Sequence, residues 1–191
     1  MYTAIMLVAL AVGCRLLAPW SHGWNFVPMG AVAVYAGARL PRRWAWVVPV
    51  AAMALSDLIL DYGTQRPELT RWAIYSTFAA TTLIGAIANR PRIGHWLLPL
   101  LSLGASVFFF VTSNLATWAE GLLYPLTFAG LVQCFVLAIP FFGNTVAADL
   151  LGTAMLFGLG PVLERMFRRS VQPMMAEHPA DLDPANSTRP A

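Results

Sequence analysis

Lysine is absent from the 191 residues, and charged side chains of any kind make up only 11% of them. Soluble domains carry about 25% charge, so an ordinary water-soluble domain is excluded. The net charge of +3 comes from arginine. Arginine gathers in short connections and after the last apolar segment, and no basic groove interleaved with aromatics is present, so nucleic acid is not an expected partner. Cys14 and Cys134 are the two cysteines, and both lie within apolar segments as small buried hydrophobes. No CxxC, HExxH or clustered His/Cys spacing occurs, and His22, His95 and His178 fall in connections or the tail, so no metal and no cofactor are expected. A phosphate-binding GxxxxGK[ST] is also missing, so any ATP hydrolysis belongs to a partner.

Apolar sequence takes the place of what is missing. Hydrophobic residues are 58% of the chain and mean hydropathy is +0.64, the composition of an integral membrane protein whose length suits one domain. The expected fold is all-α: a polytopic helix bundle over residues 1–169 followed by a disordered, cytoplasmic tail over 170–191. The first apolar segment, Tyr2 to Leu17, has no basic leader and no small-x-small cleavage site, and reads as a retained helix with a small-xxx-small step at Ala9 and Gly13. Further helices are expected over 24–39, with Pro28 in the first turn, over 44–60, 71–88 and 95–118, and finally over 144–166. Leu122 to Ile139, bounded by Tyr124-Pro125 and Pro140, is the segment hardest to place.

This segment is long enough to be a thin seventh span, and arginine positions bear on the choice. Arg39, Arg42 and Arg43, then Arg90 and Arg92, then Arg165, Arg168 and Arg169 should all face the cytoplasm. That holds if 122–139 is a short helix that does not cross, leaving about six spans with both termini cytoplasmic. The same topology brings Asn25, Asp57, Asp61, Tyr75, Asn114, Trp118, Tyr124 and Asn144 to the outer side. Asp149 lies about 7–8 Å deeper than Asn144, at 1.5 Å per residue, and shares a helix face with Thr145 and Thr153. Carboxylates at such depth require a cavity, a partner or the bundle interior.

These residues suggest a small-molecule site formed by Asn25, Asp57, Tyr75, Asn114, Trp118, Tyr124, Asn144 and Asp149. Each also has a structural reading. Asp57 and Asp61 could pair with Arg66 or Arg71. Asp149 could bond a facing helix such as the Thr77, Thr81, Gly85 stripe. Asn114 could satisfy backbone freed near Pro125 or Pro140, and the aromatics could form an interfacial belt.

The motifs NFVPMGAVAVYAGA, PVAAMALSD, FFFVTSN with a following Trp, YP, and IPFFGNTVAADL resemble a bacterial membrane family catalogued as a domain of unknown function, over about residues 24–160. More distantly, an Asn near the end of the fifth helix followed by Tyr-Pro, with Pro-Phe-x-x-Asn opening the last helix, is similar to the riboflavin-type S components of energy-coupling factor (ECF) vitamin transporters. That resemblance implies a six-helix bundle in the bacterial plasma membrane. It also implies binding of a vitamin-like nutrient near the outer face, and docking on a transmembrane coupling protein with two ATPases. The docking motif of the first helix is represented only by the Ala9/Gly13 step. Two other classes are open to the sequence: a membrane scaffold using small-residue faces, and an embedded enzyme with Asp57 and Asp149 as acid and base.

Overall fold

A computed structural model describes residues 2–18, 26–60, 67–88 and 97–176. These residues form helices α1 (Tyr2–Leu17), α2 (Met29–Arg39), α3 (Arg42–Ala45), α4 (Val47–Leu60), α5 (Glu68–Ala88), α6 (Leu98–Ala119) and α7 (Phe128–Ala176). Three stretches are long and apolar enough to cross a membrane: Arg42–Leu60, Leu98–Ala119 and Phe128–Gly160. The bundle carries apolar side chains outside, with Leu58, Leu83, Leu151 and Met155 all more than half exposed. Its buried set includes Ser56, Asp57, Thr81, Ser102, Ser106, Asp149 and Thr153. An apolar exterior around a hydroxyl-rich interior suits a lipid surround, where polar groups must find partners inside the protein.

Helix α2 is the centre. It packs against α1, α4, α5, α6 and α7, and Met29 to Ala36 are buried without a break. Close approach is possible because the facing residues are small. A Cβ on Gly37 would collide with the carbonyl of Thr82, and one on Gly85 with the carbonyl of Val34. Two glycines thus let α2 and α5 meet backbone to backbone, each filling the other's gap. The expected second helix began near Trp24, but residues 26–28 are not helical and α2 starts at Met29. Its 11 residues span about 16 Å, roughly half a hydrocarbon core of about 30 Å. Pro28 precedes the helix instead of lying within its first turn.

The largest departure from the sequence reading is α7. Residues 122–139 were expected as a separate, non-spanning helix, yet α7 runs unbroken through Pro140 from Phe128 to Ala176. Its pairing with α6 supplies the physical reason. Proceeding down α6 and up the numbering of α7, Asn114 meets Cys134. Phe110 contacts Phe135 and Phe142, with centroids 5.5 and 4.6 Å away. Ser106 then meets Asp149, and Ser102 meets Thr153. The antiparallel pairing continues on both sides of Pro140, and the Phe110 ring bridges it. A proline within an apolar helix is tolerated when neighbours hold the chain in this way. The expected start of the last helix at Asn144 is therefore an interior position, and the helix continues past Ser170, where a disordered tail was expected. Residues 177–191 lie outside those described.

Other differences are smaller. Arg42 and Arg43 form the short α3 instead of a loop, and α5 starts at Glu68, three residues before Arg71. Six spans are expected; among the described residues three stretches meet the length and hydropathy requirement, and Thr3–Leu17 is apolar but shorter.

Candidate functional site

A cavity of about 310 Å³ opens between α5, α6 and α7 beneath the 120–127 connection. Asn114, Ser113, Thr117 and Tyr124 line it together with Phe109, Phe110, Phe141 and Phe142. A second cavity of about 130 Å³ lies deeper, lined by Arg15, Met29, Gly30, Met53, Phe78 and Asp149 among others. Ile74, Phe109 and Thr145 border both, so the two are adjoining lobes divided by shared side chains.

The connection above the outer lobe is fastened at both ends. Trp118 Nε1 donates to the carbonyl of Pro125 at 3.1 Å. Glu120 accepts from the backbone N–H and the hydroxyl of Thr70, each at 2.9 Å. Gly121 supplies the turn with φ 65°, a conformation in which glycine avoids the Cβ penalty. Close beneath, Gly130 fits against the carbonyl of Pro125 with no room for a side chain. Trp118 therefore holds the roof, and Tyr124 hangs from it into the cavity lining.

Asp149 stands at the other end. It is 1% exposed. Its Oδ1 accepts the Ala31 N–H at 3.0 Å, and its Oδ2 accepts from Ser106 at 2.8 Å. The carboxylate thus caps the buried N-terminus of α2 from the side of α7, where an anion is favoured by orphan amides and the helix dipole. Gly30 leaves the space for it, since a Cβ there would overlap the carboxylate. The expectation that Asp149 bonds the Thr77/Thr81 stripe is replaced by these partners. Thr77 instead donates to Ala73 and meets Thr112 of α6 at 2.8 Å.

Asp57 is organised differently. Its Oδ1 pairs with Arg15 Nη2 at 2.5 Å, and its Oδ2 accepts from the Tyr75 phenol at 2.8 Å. Arg15 also donates to Ser56 at 2.6 Å and to Met53 Sδ at 3.0 Å. This cluster ties α1, α4 and α5 together. Asp57 and Tyr75 line neither lobe themselves; Arg15 does.

Of the eight expected site residues, Asn114, Tyr124 and Asp149 line the two lobes. Asn114 Nδ2 donates to the carbonyl of Phe110 at 2.7 Å, four residues back in its own helix. Asp57 and Tyr75 stand behind the wall and Trp118 stands in the roof. Asn144 is exposed on α7, and its neighbour Thr145 is the buried residue that reaches both lobes. Asn25 and Asp61 lie outside the described residues. Among the described residues no group of three or more His, Cys, Asp or Glu side chains is placed to hold a metal.

The model of a family of unknown function, DUF6580, matches residues 1–173. The chain belongs to that family. No curated protein and no solved structure matches it. For this DUF6580 chain, the site must therefore be read from its own geometry. That geometry adds Arg15, which the sequence reading passed over. The signal was available: Arg15 is the one charged residue in the apolar stretch Tyr2–Leu17, and a lone charge within a membrane-grade helix calls for a buried partner.

Proposed function

We propose that this protein is a solute-binding membrane subunit that takes up a small, nutrient-like molecule, in the manner of the S components of ECF transporters. The observation that carries this reading is the 310 Å³ outer cavity with its fastened roof. That volume lies at the lower end of the range for small-molecule sites, about 300–1,000 Å³, and an aromatic wall with a few placed polar groups is their usual lining. Six helical passes, α1, α2, α3 with α4, α5, α6 and α7, would leave both termini on the cytoplasmic face and the roof on the outer face. Solute enters from outside, and movement of the 120–127 connection admits and encloses it. Release to the cytoplasm draws energy from a transmembrane coupling protein and its ATPases, because the chain has no phosphate-binding motif of its own.

An embedded enzyme is less well supported. Asp57 and Asp149, the acid/base candidates, have separate partners, and Asp57 is held in an ion pair with Arg15. A scaffold has one observation in its favour: Ala9 is exposed and a Cβ on Gly13 would meet nothing, so the small-residue step on α1 is open to another helix. Gly37, by contrast, is occupied inside the bundle by α5.

The test is mass spectrometry of small molecules released from the purified full-length protein. A compound retained in stoichiometric amount, and lost on Asn114→Leu, is the expected result. Empty protein from every growth medium tried, with no uptake defect in a deletion strain across a nutrient panel, would refute the reading.

A further inference from the structure

The chemistry of the lining restricts what the solute is. Three threonine hydroxyls around the lobes direct their protons into the protein. Thr117 donates to Ser113 at 2.9 Å, Thr145 to Phe141 at 3.2 Å, and Thr70 to Glu120 at 2.9 Å. A hydroxyl has a single proton, so what these three leave toward the cavity is oxygen lone pairs. Asp149 adds more. A carboxylate offers about four acceptor positions, and the described donors to it are the Ala31 and Gly30 amides and the Ser106 hydroxyl.

Charge points the same way. The Arg15 guanidinium lines the inner lobe, but Asp57 matches it at 2.5 Å. Asp149 has two amides and a hydroxyl as described partners, with no cation among them. Among the described residues its carboxylate is therefore the lining charge without a counter-ion, in surroundings of low dielectric where such a charge strongly favours a cation. Phe109 and Phe110 form an apolar and aromatic wall in the outer lobe, and aromatic faces also favour positive charge.

We infer that the two lobes form one site for a cationic, donor-rich solute, with an ammonium or amidinium group at Asp149 and an apolar or flat body in the outer lobe. This rests on the solute-binding reading above and names the class of solute.

Three probes of similar shape and different charge test it: benzylamine, benzyl alcohol and benzoate, each titrated into the full-length protein in lipid nanodiscs while its thermal midpoint is followed. Benzylamine is expected to raise the midpoint saturably and benzoate to leave it unchanged, with benzyl alcohol at least tenfold weaker than the amine. Asp149→Asn is expected to weaken benzylamine at least tenfold. Preference for benzoate, equal response to all three probes, or unaltered amine binding by Asp149→Asn would overturn the cationic assignment. Should Asp149→Asn fail to fold, the wild-type preference between amine and carboxylate decides alone. Failure of all three probes while the purified protein still retains a natural compound would also overturn the assignment, leaving solute binding intact. Failure of the probes together with empty purified protein would remove both.

Discussion

Among the described residues two carboxylates are buried in this bundle, and the protein treats them differently. In the corner formed by α1, α4 and α5, Asp57 has a full set of partners: a guanidinium at 2.5 Å and a phenol at 2.8 Å. In the corner formed by α2, α6 and α7, Asp149 has two backbone amides and a serine. The first arrangement fixes three helices to one another. The second fixes the start of a half-length helix and leaves a negative charge facing a cavity. Burial is common to both; among the described residues, the presence or absence of a counter-ion separates the two.

The largest effect is expected from removing one partner of the complete corner. Arg15→Met leaves Asp57 buried without its cation and is expected to destabilise the protein by about 3–5 kcal/mol. Adding Asp57→Leu to it should restore most of that loss, because no unpaired charge remains. Thermal melts in detergent check both, and a double variant no better than the single one would show that the pair is not a self-contained unit. Next in size is Gly37→Ala, which forces α2 away from the Thr82 carbonyl. Overpacking of this kind costs about 1–3 kcal/mol, measured as a lower denaturation midpoint. It should also reduce solute binding, since α2 carries the Ala31 amide to Asp149.

Asp149→Asn belongs lower on the stability scale. An asparagine keeps an acceptor for Ala31 and places a donor toward Ser106, so a change of no more than about 1–1.5 kcal/mol is expected, with the solute affinity falling far more. A stability loss as large as that of Arg15→Met would mean that the second corner is structural like the first. Trp118→Phe removes the hydrogen bond to Pro125 and should cost about 0.5–1.5 kcal/mol. Its clearer signature is faster amide exchange in 120–127, read by hydrogen exchange with mass spectrometry.

Much of this arrangement was legible in the sequence, and the legible part has a common cause. Asp149, Asp57 and Asn114 stood out because polar groups in membrane-grade sequence are costly, and the helical period correctly put Thr145, Asp149 and Thr153 on one face. All three are buried. The stripe Thr77, Thr81 and Gly85 is likewise buried, although it faces Thr112 and α2 instead of Asp149. Three things could not be read locally. Proline is a local signal for a helix end, but Pro140 is overruled by Phe110 packing on both sides of it. The late start of α2 depends on a carboxylate 118 residues away supplying its cap. Asn144 looked like a site residue because it opens a motif, whereas a continuous α7 turns it outward and presents Thr145 to the cavities. Arg15 is legible as the lone charge within Tyr2–Leu17, but nothing local to it names Asp57, 42 residues away, as its partner.

What Asp149 faces when the site is filled separates a solute site from a structural cap. Wild-type protein and Asp149→Asn, purified in parallel and shown to be equally folded by their melts, should be extracted and compared by mass spectrometry. The expected result is a cationic compound carried by the wild type and missing from the variant. The same compound carried equally by both proteins, or an anionic compound in the wild type, would contradict it.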